Sequence, residues 1–151
     1  MYEFPKISVP VELTLLNGES LSGNIFLTED LVSSTGQPRV EEFLNDDPDQ
    51  FFSFQMAAGG YRLINKGQLV SVGLDQDDSE TRHQTPLPPR ILEVHFNNGS
   101  SMTGSVYPTQ LEESRISDIV NQNEAFMVLF HEGVMHIINR ELVVYICEAQ
   151  S

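Results

Sequence analysis

The chain has 151 residues, 40 % of them hydrophobic, and carries 22 acidic against 8 basic side chains, for a formal net charge of −14. That apolar share supports a folded core, in one ordinary domain or two small ones, and excludes a disordered chain. The negative field disfavours phosphate backbones and anionic membrane surfaces, both of which are gripped by Lys and Arg, and it favours solubility and basic partners. Acids outnumber bases in each of the segments 1–74, 75–90 and 91–151, so the charge is not that of an acidic tail. The start, "MYEFPKISVPVE", has no basic stretch followed by an apolar one, so no secretory leader is expected. No apolar run approaches the ~18 residues of a membrane helix. A cytoplasmic location is the expectation.

In chain order, the first predicted element is a hairpin. "VELTLLNGESLSGNIFL" alternates polar and apolar residues on both sides of Asn17-Gly18, and Asn-Gly favours a two-residue type I′ turn with positive φ at both positions. Gly23 falls inside the second strand, which predicts a bulge, a bend or a close backbone approach. "PRVEEFLNDD" spaces Val40, Phe43 and Leu44 for a short helix, with Pro38 in its first turn. "FFSFQMAAGGYRLIN" reads as a second hairpin around Ala58-Gly59, and "QLVSVGL" as a closing strand. The phenylalanines Phe51, Phe52 and Phe54, with Tyr61, have strand spacing and read as core. "DQDDSETRHQTPLPPR", residues 75–90, has no apolar periodicity and reads as a linker, polar first and then stiffened by Pro86, Pro88 and Pro89.

The rest of the chain repeats the first part. "FNNGSSMTG" answers "LLNGESLSG", "RISDIVN" answers "RVEEFLN", and "IINRELVVYI" answers "LINKGQLVSV", in the same order. Asn98-Gly99 stands for Asn17-Gly18, Gly104 for Gly23, Ile116, Ile119 and Val120 for the helix stripe, and Glu132-Gly133 for the second turn. The reading is a tandem duplication with copies at 1–74 and 91–151, each β-β-α-β-β-β and mostly antiparallel. Units this small bury little surface alone, so they are expected to pack against each other or against other chains. The expected fold class is mainly β (α+β): two tandem copies of a small bent antiparallel β-barrel, each with one short helix.

The first copy resembles the Sm-like family. "VELTLLNGESLSGNIFLTED" is similar to its first motif, with Gly18, Gly23 and Asp30 at the family's spacing, and "LINKGQLVSV" is similar to its second, through Lys66-Gly67. The resemblance implies a strongly bent five-stranded barrel, ring formation by strand pairing at open edges, and often RNA binding. Such a pocket would fall on Asp30, Lys66 and Gly67, with Arg62 beside it. The family's asparagine is Ser33 here, Leu111 replaces Asp30 in the second copy, and Arg140-Glu141 replaces Lys66-Gly67.

Other chemistry finds less support. His95, His131 and His136 all fall in the second copy. A turn at Glu132-Gly133 sets His131 opposite Val134 and His136 opposite Leu129, so the two imidazoles share a sheet face. With His95 they are metal-ligand candidates, though without a clamp spacing such as His-x-His. Asp46, Asp47 and Asp49 in "NDDPDQ" lack calcium-loop alternation, and Asx-turns at a helix exit explain them more simply. Cys147, the single cysteine, excludes an internal disulfide and sits in the apolar run "LVVYIC", so a buried, inert thiol is expected. Asn65 and Asn139 read as turn residues that tolerate a left-handed conformation, with a ligand contact as the alternative. No nucleophile elbow or phosphate loop occurs. The function expected is a non-enzymatic interaction or assembly module without cofactor. Its partner would be another protein, basic in charge, or a second copy of the chain, and neither nucleic acid nor membrane. The alternative is an Sm-like RNA-associated protein.

Overall fold

The computed structural model describes residues 6–33, 36–84, 87–108 and 115–149. The expectations placed on Pro86 and Leu111 lie outside these. The fold is mainly β, with ten antiparallel strands and three short helices among the described residues. The chain divides into two compact units, Met1–Val72 and Gly73–Ser151.

The first unit runs β1 (Lys6–Leu15), β2 (Ser20–Thr28), α1 (Val40–Asp46), β3 (Phe51–Met56), β4 (Tyr61–Asn65) and β5 (Leu69–Leu74), the last crossing the boundary between units. Its strands are ordered β5-β1-β2-β3-β4. The second unit begins with α2 (Ser79–Gln84). It continues through β6 (Arg90–Phe96), β7 (Ser101–Val106), α3 (Ile116–Val120), β8 (Phe126–His131), β9 (Val134–Asn139) and β10 (Val143–Glu148). Its strands are ordered β10-β6-β7-β8-β9. Both units therefore use one strand order. Among the described residues of neither unit do the two end strands pair, so the expected closure of each copy into a barrel is not seen in the hydrogen bonding.

Alternation builds both cores. In β2, Leu21, Ile25 and Leu27 point inward and are buried, as are Val9, Val11 and Leu13 of β1. Val40 and Leu44 of α1 close over this layer. Leu92, Val94 and Phe96 of β6 do the same work in the second unit, with Leu129 of β8, Ile137 of β9 and Ile119 of α3. Strand side chains alternate between faces, so each of these sets lies on one side of its strand. Residues 75–90 contain α2, and the Tyr107 hydroxyl donates to the Asp78 carboxylate just before it. Burial and that contact push the Tyr107 phenol up to about 12.

The Asn-Gly turns differ from the expected type I′. Gly18 is in the left-handed region, but its N–H bonds Leu15 O at 3.0 Å, and Leu15 N bonds Glu19 O at 2.9 Å. This is the three-residue loop, a type I turn followed by a glycine bulge. Gly99 repeats it with Phe96 and Ser100. Asn17 and Asn98 act through their side chains instead, each Oδ1 accepting the N–H two residues on, at 3.0 and 2.9 Å. Positive φ at both turn positions is found at Glu132-Gly133, which sits between paired His131 and Val134.

The strand glycines mark close approach. A Cβ at Gly23 would overlap the Gln55 carbonyl oxygen and lie 2.8 Å from the Phe54 ring. One at Gly104 would lie 3.0 Å from Leu129 Cβ and 3.1 Å from Phe130 O. Gly23→Ala should therefore cost about 2–3 kcal/mol and Gly104→Ala about 1 kcal/mol. Urea denaturation of the two variants checks this, and an equal cost at both sites would contradict it.

Candidate functional site

The residues singled out by the Sm-like motifs are held for structural work. Lys66 is only 9 % exposed. Its Nζ donates to Asp47 O at 2.7 Å and lies 5.7 Å above the Phe43 ring. It therefore ties the exit of α1 to the 3₁₀ turn Lys66–Gln68 between β4 and β5. Gly67 donates its N–H to Asn65 Oδ1 at 3.0 Å. Arg62 is exposed on β4, 3.5 Å from Glu19. Asp30 lies in a 3₁₀ turn after β2 and accepts from the Thr28 hydroxyl. Asp30 lines a recess of about 670 Å³ beside α1, together with Glu42, Asp46, Asp47 and Asp49. Among the described residues Lys6 is the one cation lining that recess, while Arg39 pairs with Glu42 at 3.2 Å and Lys66 lies 4.0 Å from Asp47, so the lining is acidic but partly neutralised. Arg62, Lys66 and Gly67 are not among its lining residues. The Asp49 N–H bonds Asp47 Oδ1 at 2.8 Å, which is the expected Asx-turn.

Asn65 and Asn139 stand at turns, with φ of −78° and −85°, outside the left-handed region that such residues tolerate. Each instead caps a 3₁₀ turn, Asn139 Oδ1 accepting from Glu141 N at 3.1 Å. Arg140 matches Lys66 in reaching back to a backbone carbonyl, that of Glu124.

The three histidines do not assemble. His131 pairs with Val134 and His136 with Leu129, as the turn predicts. His131 is exposed, and His136 is half-buried. Burial, followed by the charge of nearby His131, holds the His136 imidazole below its ordinary value. His95 belongs to a different group, with its Nε2 2.5 Å from Glu93 Oε1 and its ring stacked on Tyr145 at 4.2 Å. Cys147 completes that group. Contrary to the buried thiol expected, it is exposed on β10. Glu93, His95 and Cys147 form the one metal-capable cluster of three among the described residues.

A second feature lies on the hairpin β3–β4. Phe52, Phe54 and Ile64 face the core, but Phe51, Tyr61 and Leu63 lie on the opposite face, 50 %, 66 % and 69 % exposed. Tyr61 and Phe51 are thus not core, as alternation alone suggested. Adjacent Phe51-Phe52 carries the missed signal, because neighbouring strand residues must point to opposite faces. Among the described residues β4 pairs only with β3, so its outer edge offers free backbone donors and acceptors. On β10, which among the described residues pairs only with β6, Val144 and Tyr145 are likewise exposed. No described helix is long and apolar enough to cross a membrane.

In comparisons with known proteins, no family model, no curated protein and no solved structure matches this chain.

Two measurements check the assignments. Lys66→Met removes the bond to Asp47 O and should cost about 1–3 kcal/mol in urea denaturation. A neutral result would return Lys66 to the role of a free surface cation. His136 binds a proton less readily folded than unfolded, so stability is complete above the ordinary histidine value of 6.5 and falls as pH drops below it. In His136→Gln this acid-side loss should shrink.

Proposed function

We propose that this chain is a non-enzymatic interaction or assembly module working through the β3–β4 hairpin. The observation that carries the reading is the exposed set Phe51, Tyr61 and Leu63 beside the unpaired edge of β4. An exposed edge strand with apolar neighbours is an invitation to strand addition, because main-chain hydrogen bonds and side-chain burial are gained together. Natural sheets usually blunt such an edge with charge. Here Arg62 is the one charged residue of β4, and it is drawn toward Glu19. The acidic surface would then select among partners, admitting basic proteins and slowing the approach of anionic ones.

We further infer a tandem duplication of a unit related to the Sm-like family, here as open sheets. Support for the duplication comes from the shared strand order, the matched glycine approaches and the matched asparagine caps, while the Sm-like relation rests on the motif resemblance alone. RNA association, the second reading, has support only in the motif resemblance. Its cation Lys66 is engaged with Asp47, and the recess at Asp30 is lined by acids.

Leu63→Asp and Tyr61→Ser lie on the solvent face and should leave the urea midpoint nearly unchanged. Each should abolish capture of specific partners from a native cytosol treated with nuclease, or self-association seen by sedimentation. Retention of the same partners by Leu63→Asp would sink the proposal. Partners lost on nuclease treatment of the wild-type chain would favour the RNA reading.

A further inference from the structure

We propose that Glu93, His95 and Cys147 form a binding site for a divalent cation of borderline softness, with zinc as the type ion. The strand geometry makes the cluster. Glu93 and His95 stand two residues apart on β6 and share a face. On β10, Cys147 pairs with Glu93 and Tyr145 with His95, so all four residues stand together. The carboxylate, imidazole and thiol ligand atoms lie within 4.8 Å of one another. A tetrahedral zinc with bonds of about 2.0–2.3 Å holds its ligand atoms about 3.3–3.8 Å apart. The approach needed is small for side chains on an accessible sheet face. Cys147 is exposed and the other two are half-buried.

Charge and chemistry agree with this choice. A carboxylate, a thiolate and a neutral imidazole sum to two negative charges, which a divalent cation neutralises. The mixed sulfur, nitrogen and oxygen set suits zinc and cobalt, whereas magnesium and calcium prefer oxygen alone. His95 Nε2 and Glu93 Oε1 share a hydrogen bond at 2.5 Å in the metal-free chain. When the cation takes Nε2, the imidazole keeps its one proton on Nδ1, any other proton passes to solvent, and the contact opens to ligand spacing. The Cys147 thiol loses its own proton to solvent as the sulfur–metal bond forms. The Tyr145 ring, stacked at 19° on the imidazole, limits its rotation and lowers the entropy lost on ligation. Three protein ligands leave a fourth position for water.

The test titrates the full chain with zinc against a chromogenic chelator, and separately with cobalt. One equivalent of zinc is expected, with a thiolate-to-cobalt charge-transfer band. Affinity should rise with pH as thiol deprotonation becomes easier. Cys147→Ser and His95→Gln should each weaken zinc binding about tenfold or more, and Cys147→Ser should erase the cobalt band. Both substitutions are on accessible side chains, and an unchanged urea midpoint without metal separates ligand loss from unfolding. Binding of less than one equivalent, or affinity untouched by Cys147→Ser, would overturn the site and leave only loose attraction to surface carboxylates.

Discussion

Everything in the first unit depends on how closely β3 can approach β2. At Gly23 the Gln55 carbonyl and the Phe54 ring occupy the space where a side chain would be. The two backbones pair there, Gly23 with Met56 and Asn24 with Gln55, and the Ala57 N–H continues the contact to Ser22 O at 2.9 Å. That contact brings the β3–β4 hairpin over the core, buries Phe52 and Phe54, and fixes which face holds Phe51, Tyr61 and Leu63. Gly104 makes the corresponding approach in the second unit, against Leu129 and Phe130. The inward face of one hairpin and the outward patch proposed for recognition are two consequences of one steric allowance.

Most of the architecture was legible because it rests on short-range rules. Alternation around the Asn-Gly pairs gave the hairpins, the spacing of Val40, Phe43 and Leu44 gave α1, and the strand glycines left a bulge, a bend or a close approach open, of which the close approach is found. The turn type was not legible. An asparagine can enter the left-handed region or hydrogen-bond through its side chain, and Asn17 and Asn98 take the second course. Which strands end the sheet was also hidden. A β-branched run such as "LVVYIC" reads the same whether one side or both are covered, so Cys147 seemed buried. The site followed the same pattern. Glu93 and His95 are neighbours by periodicity, but their meeting with Cys147 is set by the register of β10 on β6, which no local pattern encodes.

The cations show why motif spacing is weak ground for a binding role. Lys66 and Arg140 fill equivalent places, and both donate to a backbone carbonyl at the end of a connecting segment, Lys66 buried and Arg140 half-buried. A positive residue after a strand is equally suited to hold a phosphate or to pin a loop. Burial decides between them, and here it favours the loop. Among the described residues the surface carries unpaired edge backbone and exposed apolar side chains on β4 and β10 alike, within an acidic chain.

The strand order also governs the timing of folding. β1 finds β2 across a tight hairpin, but its other neighbour, β5, comes last in the unit. The Leu16 N–H waits for the Gln68 carbonyl, and Asn97 waits in the same way for Leu142. Closing so long a loop is entropically slow, and non-local pairing raises contact order. While a chain is being synthesised, each unit would spend an interval with one flank of its first strand bare, open to capture by a chaperone or by a neighbouring nascent chain.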